Sequence, residues 1–241
     1  MDTASLKQLS VMGLPVYHGA DYAHWLWVRH RGGQGSHVVT LNAEMSMQAD
    51  RNVALKQVIQ AAELVIPDGA GITLYFRLKG QRLQRYPGIE LAADLLHQCQ
   101  PQESVFFYGG APGVAEKAGD RWRSQLPGLH ISGIQHGYLK PEGKSRFHQI
   151  LRDRQPNLIF VGLGVPRQEF WIADHRHLCP KAIWVGIGGS FDIWAGIKRR
   201  APAWFCNHNL EWLYRLYQEP WRWRRMLALP KFALRALTYS E

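Results

Sequence analysis

The stretch that decides the fold reads Ala182-Ile183-Trp184-Val185-Gly186-Ile187-Gly188-Gly189-Ser190 and continues into Phe191-Asp192. A short apolar run passes directly into a glycine-rich turn, which is typical of a buried β-strand that ends where a helix begins. The same unit recurs along the chain. Its other predicted strands are residues 37–41, 64–66, 104–108 and 157–161. Because these strands are continuously apolar, they predict an α/β fold of Rossmann-like type, with a mostly parallel sheet and helices on both faces.

Helices are predicted between these strands. One follows residues 37–41 and runs to about Val58, a second runs toward Leu78, and a third covers residues 114–125. A further strand at residues 130–132 is predicted to lead through a loop at 135–139 into a helix near 146–152. The chain therefore alternates strands and helices for most of its length.

The alternation stops near residues 200–202, which predicts a Rossmann-like domain over 1–200 and a helical appendage over 201–241. In the appendage, Trp204, Leu213, Leu216 and Tyr217 are predicted to share one helical face. After a break at Pro220, a second short helix is predicted to carry Met226, Leu229 and Leu237.

The composition describes an ordinary folded protein. The 241 residues are 46% hydrophobic and 20% charged. Three cysteines, far apart and outside any Cys-x-x-Cys pair, argue against a disulfide framework or a zinc site. No apolar run reaches the roughly 18 residues that cross a bilayer, and the N-terminal residues do not resemble a signal peptide. The expected location is cytoplasmic.

The net charge of +10 is concentrated in the C-terminal part of the chain. Residues 196–241 contain nine Lys or Arg against three Glu, a net +6, and four of the ten Trp follow residue 200. A basic segment indicates an anionic partner, either lipid headgroups or nucleic acid, or else a solvated face. The tryptophans favour a membrane surface.

Three glycine-rich turns, at residues 109–113, 162–164 and 186–189, are candidates for contact with phosphate. In a parallel sheet such turns gather at the carboxyl edge, where helix N-termini offer free N–H groups. Together they predict a nucleotide-type ligand. The chain has neither the G-x-G-x-x-G order with a following acidic residue nor a G-x-x-x-x-G-K-[ST] motif, which argues against NAD and a P-loop.

Carboxylates at the same edge are candidates for a general base. Asp68 directly follows a predicted strand, and its position fits a base and the N-cap of the next helix equally well. For Asp192 the cap interpretation leads, and Glu90 and Glu169 are predicted to make structural hydrogen bonds. The chain has no Asp-x-Asp pair of the kind that holds a divalent ion on a nucleotide-sugar diphosphate, so Arg, Lys and helix N-termini are expected to neutralise it.

These motifs, taken in order, resemble the WecG/TagA/CpsF glycosyltransferase family from about Val38 to Arg225. The matching blocks are Thr40-x-Asn42-Ala43-Glu44, Pro67-Asp68-Gly69-x-Gly71, Gly88-x-Glu90-Leu91, Gly137-Tyr138, Gly162-x-Gly164-x-Pro166-x-Gln168-Glu169, Gly186-x-Gly188-Gly189-Ser190-Phe191-Asp192-x-x-Ala195-Gly196, Arg200-Ala201-Pro202 and Glu211-Trp212-x-x-Arg215. The family often has glycine where this chain has Asn209.

The resemblance implies an inverting, metal-independent transferase without a cofactor. It would move N-acetylmannosamine, or a related hexose or uronic acid, from a UDP donor to a polyprenyl-diphosphate-linked N-acetylglucosamine for cell-surface polysaccharide or teichoic acid synthesis. Asp68 would be the base and Thr40 its catalytic neighbour. The substrate-binding residues implied are Asn42, Gly69, Gly71, Gly109, Gly110, Gly164, Gln168, Gly188, Gly189 and Asp192.

The same resemblance implies that the appendage closes over the site and touches the inner face of the plasma membrane. Arg215, Arg222, Arg224 and Arg225 are the candidates for contact with the lipid diphosphate. No nucleic-acid partner is expected. The sequence does not decide whether the chain forms a homo-oligomer. The alternative is a non-catalytic module that binds membranes or polyanions, whose affinity would fall steeply with salt.

Overall fold

The computed structural model describes residues 6–239, except for the side chains of Arg222 and Arg225. Its strands are β1 (Lys7–Val11), β2 (Leu14–His18), β3 (Ser36–Leu41), β4 (Leu64–Pro67), β5 (Ser104–Gly109), β6 (His130–Gln135), β7 (Leu158–Gly162) and β8 (Ile183–Gly186). Its helices are α1 (Tyr22–Arg31), α2 (Ala43–Arg51), α3 (Val53–Gln60), α4 (Ala70–Leu78), α5 (Gly88–His97), α6 (Val114–Gln125), α7 (Pro141–Arg154), α8 (Arg167–His175), α9 (Ser190–Trp194), α10 (Ala203–Asn207), α11 (Glu211–Gln218), α12 (Trp223–Met226) and α13 (Ala228–Thr238). Short 3-10 turns follow α8 and α11, at Arg176–Leu178 and Pro220–Arg222.

Six strands form one parallel sheet in the order β4-β3-β8-β7-β5-β6. All residues of β3, β4, β5 and β8 are buried, as the continuous apolar runs predicted. Neighbouring residues of one strand lie on opposite faces of the sheet. Val38 packs with α1 and α5 on one face, and Val39 packs with α2 and α4 on the other. The predicted α/β fold with helices on both faces is confirmed.

The sheet places the ends of β3, β4 and β8 side by side. Thr40 is in register with Ile66 on β4, and the β3–β8 pairing aligns Val38 with Val185. The turns after these three strands therefore meet at one edge, where ligands bind in open α/β sheets.

Three local predictions differ from the structure. The helix predicted to run to Val58 is two helices, because the Asn52 side chain accepts a hydrogen bond from the Leu55 N–H (3.1 Å) and starts α3 as its N-cap. Strand β6 runs past Ser132 to Gln135. The antiparallel hairpin of β1 and β2, which packs against β4 and α3, was absent from the sequence-based prediction.

Between residues 200 and 239 the structure has four α-helices where two were predicted. Trp204 lies on α10, and Leu213 and Tyr217 lie on α11, so the shared helical face is wrong for Trp204. The two helices are separated at Asn209, whose φ of 59° lies in the left-handed region. Asparagine tolerates that region better than most residues do, and glycine adopts it freely.

The last helix returns to the core. Phe232 and Ala236 of α13 are buried with residues of α2 and α4, and Arg235 forms an ion pair with Asp50 (2.9 Å). The division of the chain at residue 200 stays a prediction. Over residues 6–239, no helix is both long enough and apolar enough to cross a membrane.

Candidate active site

A cavity of about 350 Å³ opens at the carboxyl edge of β3, β4, β7 and β8, and α11 closes one side of it. The predicted site residues that line it are Thr40, Asn42, Asp68, Gly69, Gly71, Gly164, Gln168, Gly188, Gly189 and Arg215. The glycine turns after β7 and β8 and the candidate base after β4 therefore face one space.

Asp68 is the first residue after β4. Its backbone N–H donates to the Leu41 carbonyl (2.9 Å), so the residue continues the β3–β4 ladder. Burial raises the pKa of the Asp68 carboxyl, while Arg85, Arg215 and the nearby Gly88 N–H act in the opposite direction. A carboxylate with a raised pKa accepts a proton more readily than an ordinary aspartate.

The N-cap interpretation of Asp68 is wrong. The N-cap of α4 is Gly69, and no side chain caps that helix. The same holds for Asp192, which lies inside α9, whose N-cap is Gly189. The Asp192 carboxylate instead pairs with Lys198 (3.3 Å).

Thr40 and Gly88 pack tightly beside the base. The Thr40 hydroxyl donates to the Gly186 carbonyl (3.3 Å), which ties β3 to the end of β8. A β-carbon on Gly88 would lie 2.7 Å from the Thr40 methyl carbon, so only glycine fits there. The start of α5 can therefore bring its Gly88 N–H to the Asp68 carboxyl.

Asn42 and Gly69 also line the cavity and pack against each other. The Asn42 side-chain oxygen accepts from the Met45 N–H (3.0 Å) and caps α2. A β-carbon on Gly69 would lie 2.8 Å from the Asn42 β-carbon. These contacts hold the turns after β3 and β4 close together at the cavity floor.

Gln168 joins two of the glycine turns. Its side-chain oxygen accepts from the N–H groups of Gly164 (3.2 Å) and Gly188 (3.0 Å), and its amide nitrogen donates to Glu169 (2.9 Å). The side chain is 1% exposed. Gln168 thus fixes the shape of the turns after β7 and β8 from beneath the cavity.

Glu169 lies fully buried behind Gln168. Burial raises the pKa of its carboxyl to about 7, although the hydrogen bond from Gln168 lowers it. Its second oxygen has no hydrogen-bond partner among the residues that the structure describes. The structural role predicted for this residue agrees with its contact with Gln168.

Arg85, which the sequence motifs did not single out, lies beside the base. Its Nε donates to the Asp68 carbonyl (2.8 Å), and its guanidinium also pairs with Glu211. Glu211 is 4% exposed and pairs in addition with Arg215 of the next helical turn. Burial alone would raise the pKa of Glu211, but Arg215 and Arg85 hold it below its usual range.

Two further cations line the cavity near α11. Lys198 pairs with Asp192 and with Glu219 (3.0 Å), and Arg199 lies beside it. Burial opposes the charge of Lys198, but Glu219 and Asp192 together raise its pKa. The cavity therefore combines one candidate base with several cations that suit an anionic ligand.

Other predicted site residues lie apart from the cavity. Gly109 and Gly110 pack against Gly162 and Gly137 and do not line it. Arg224 stacks on Trp223 (5.5 Å to the ring centre) outside it. Arg222 and Arg225 have side chains outside the described part of the structure. The binding roles of these residues stay predictions.

Arg85 could have been found from its place in the sequence. It lies in residues 84–87, directly before α5, whose first residue, Gly88, begins one of the motifs quoted in the sequence analysis. Glu211 also belongs to a matching block, but a glutamate at a helix start resembles an ordinary first-turn acidic residue. Among residues 6–239, no three His, Cys, Asp or Glu side chains are grouped so as to hold a metal ion.

A model described as the glycosyl transferase WecG/TagA/CpsF family matches residues 9–240. The chain belongs to the WecG/TagA/CpsF family. The resemblance inferred from the motifs is confirmed, and with it the prediction that the chain is a glycosyltransferase.

Two relatives carry the name N-acetylglucosaminyldiphosphoundecaprenol N-acetyl-beta-D-mannosaminyltransferase. The protein from Bacillus spizizenii is 39% identical over 210 residues, which is 86% of this chain and 81% of the relative. The protein from Bacillus subtilis is 36% identical over 205 residues, which is 84% of this chain and 79% of the relative. The aligned residues thus cover most of this WecG/TagA/CpsF chain and most of each relative.

Proposed function

We propose that this glycosyltransferase moves N-acetylmannosamine, or a related hexose or uronic acid, from a UDP donor to a polyprenyl-diphosphate-linked N-acetylglucosamine. The names of the two relatives support the acceptor and the sugar. The observation that carries the proposal is the cavity in which Asp68 lies beside Arg85 and Arg215. A base next to cations suits a reaction between a sugar hydroxyl and diphosphate esters.

In the proposed reaction, the Asp68 carboxylate removes the proton from the acceptor hydroxyl. The oxygen attacks the anomeric carbon of the donor from the face opposite UDP, and the bond from that carbon to the diphosphate oxygen breaks. UDP leaves with both electrons of that bond, so the anomeric configuration is inverted. Thr40 supports this step by holding the turn after β8 next to the base through Gly186.

The departing diphosphate gathers negative charge that the enzyme has to stabilise. Arginines that line the cavity, together with the backbone N–H of Gly189 in the turn after β8, are proposed to do this without a metal ion. Gln168 serves here as a positioning residue, because it holds both turns through Gly164 and Gly188. The absence of an Asp-x-Asp pair from the sequence supports this assignment.

The direct test is a transfer assay with a panel of UDP-sugars and a short-chain lipid-diphosphate N-acetylglucosamine acceptor. We expect a product heavier than the acceptor by one N-acetylhexosamine, with inverted configuration by NMR and an unchanged rate in EDTA. Absence of transfer across the panel would contradict the proposed function. Loss of activity in EDTA that Mg²⁺ restores would contradict metal independence, and a retained configuration would contradict inversion.

Residues 201–241 are proposed to hold the enzyme at the inner face of the plasma membrane. Trp204, Tyr217, Trp221 and Trp223 are all more than half exposed. Exposed aromatic rings next to basic residues suit the membrane interface, where Lys and Arg add about 1 kcal/mol each against anionic lipid.

Replacing Trp221 and Trp223 together with alanine is expected to weaken binding to anionic vesicles by about tenfold or more, since two rings lose interfacial burial. Vesicle sedimentation at fixed salt measures this. Tyr138→Ala is the control, because Tyr138 is equally exposed but lies in the loop after β6. Point variants are preferable to truncation at residue 201, which would also remove the buried Phe232. Vesicle binding that both variants leave unchanged would exclude these rings as the anchor.

A further inference from the structure

A second and larger cavity adjoins the candidate active site. It has a volume of about 1110 Å³ and lies between α4 and α13, with α10 and α11 at one end. We call it the α4–α13 groove; its apolar walls come from Leu74, Leu78, Leu83, Leu229, Phe232 and Leu237. Space of this size accommodates a drug-sized apolar ligand.

The groove and the catalytic cavity share several lining residues. Gly71, Arg85 and Trp212 line both of them, so the two cavities meet at these residues. Arg85 stands at this junction, with its guanidinium next to the candidate base. A diphosphate bound at Arg85 would have its sugar on the side of Asp68 and its other substituent on the side of α4.

The walls of the groove expose large apolar side chains. Leu74 is 52% exposed, Leu78 63% and Leu237 59%. Exposed apolar surface gathered in one place marks a site for a ligand or a membrane. Leu74 and Leu78 belong to α4 of the Rossmann-like core, so this apolar surface is not confined to the appendage.

The charged residues at the α4–α13 groove are mostly basic, and they favour an anionic occupant over a basic one. Arg77 and Arg82 line it together with the leucines. A second copy of this chain, which carries a net charge of +10, would bring like charges together, whereas an anionic lipid surface would complement them.

We propose that the α4–α13 groove binds the isoprene units of the acceptor that lie nearest its diphosphate. The proposal rests on the proposed function, because only a prenyl diphosphate places an apolar chain at Arg85. The enzyme would draw the first units of the chain out of the bilayer, and the remainder would stay in lipid. The groove would thereby select acceptors by the length and flexibility of the apolar chain.

Binding of geranylgeranyl diphosphate, below its micelle concentration and without vesicles, tests the groove independently of transfer. Calorimetry is expected to show it binding about tenfold or more tightly than inorganic diphosphate, because the prenyl chain leaves water. Ala233→Trp should remove this advantage, since Ala233 is exposed and lines the groove. Leu234→Trp is the matched control, because Leu234 is exposed on the same helix but does not line it.

A second variant tests the groove independently, in case Ala233→Trp does not fold. Leu74→Ser removes apolar surface from the opposite wall and should also weaken geranylgeranyl diphosphate binding, with little effect on inorganic diphosphate. Equal affinity of the wild type for the two diphosphates would overturn the proposal, as would equal losses in Ala233→Trp and Leu234→Trp. A dimer that Ala233→Trp dissociates would assign the groove to a second copy instead. Prenyl binding without sugar transfer would leave the groove standing and overturn the proposed function alone.

Discussion

Asp68→Asn is expected to lower kcat by about 10²–10⁴, the range that general-base catalysis contributes. Asparagine has nearly the same shape and can still accept a hydrogen bond through its side-chain oxygen, but it cannot take a proton. Binding of the UDP donor should change little, because Asp68 takes the proton of the acceptor hydroxyl and makes no bond to the donor in this mechanism. Steady-state kinetics with saturating acceptor measures the loss.

The pH dependence of the wild type provides a second measurement on the same group. Burial raises the pKa of Asp68, so its catalytic, ionised form is lost at a higher pH than for an ordinary aspartate, whose pKa is about 3.9. The rate should therefore fall as the pH falls through this raised value. In Asp68→Asn the acidic limb due to this group should disappear from the residual activity.

Stability separates a catalytic effect from misfolding. A carboxyl with a raised pKa in the folded chain favours folding while it is protonated, and this contribution is lost as the pH rises from about 3.9 through the folded value. At neutral pH the charge of Asp68 therefore opposes folding. The neutral Asp68→Asn chain should unfold at a temperature no lower than that of the wild type.

Asp120→Asn is the control for this experiment, because it removes a mostly exposed carboxylate on α6 that pairs with Arg123 on the next turn of the same helix. It should behave as the wild type does. If Asp68→Asn transferred sugar at the wild-type rate with normal folding, the base would have to be another group at the cavity.

The parts of this fold that the sequence predicts are those set by local pattern. Residues 114–125 form α6 as predicted, because a glycine turn precedes them and their apolar side chains recur at helical spacing. The strands are predicted because burial on both faces makes them continuously apolar. The turns that follow them then gather at one edge by the rules of parallel sheets.

Contacts between distant segments have no such local signal. Arg85 and Glu211 are separated by 126 positions, and nothing in either neighbourhood predicts that they meet. The same is true of α13, whose Phe232 packs back on α2 and α4. The family motifs made Asp68 and Gln168 candidates, but the hydrogen bonds by which Gln168 links two turns are visible only in the folded chain.

Arg85→Ala is expected to lower kcat/KM by about 10²–10³, the usual loss when one charge-stabilising donor is removed from an active site. We propose that its guanidinium contacts the diphosphate while its Nε holds the Asp68 carbonyl. Arg85→Lys should recover little of the loss, because an ammonium group cannot serve two acceptors with the planar geometry of a guanidinium. Arg123→Ala, which removes a surface arginine on α6, is the matched control.

Glu211→Gln distinguishes a direct role of Arg85 from a structural one. If Arg85 only held Glu211 and α11 in place, this variant should lose as much kcat/KM as Arg85→Ala, and the double variant should lose no more than either. If Arg85 binds the diphosphate, inhibition by inorganic diphosphate should weaken in Arg85→Ala and persist in Glu211→Gln, which leaves both arginines in place. We expect the second result, because Glu211 neutralises Arg85 and Arg215 from the protein side, while the cavity leaves room for an anionic ligand on the other. If inhibition weakened equally in the two variants, binding of diphosphate would depend on the position of α11 and not on Arg85 itself.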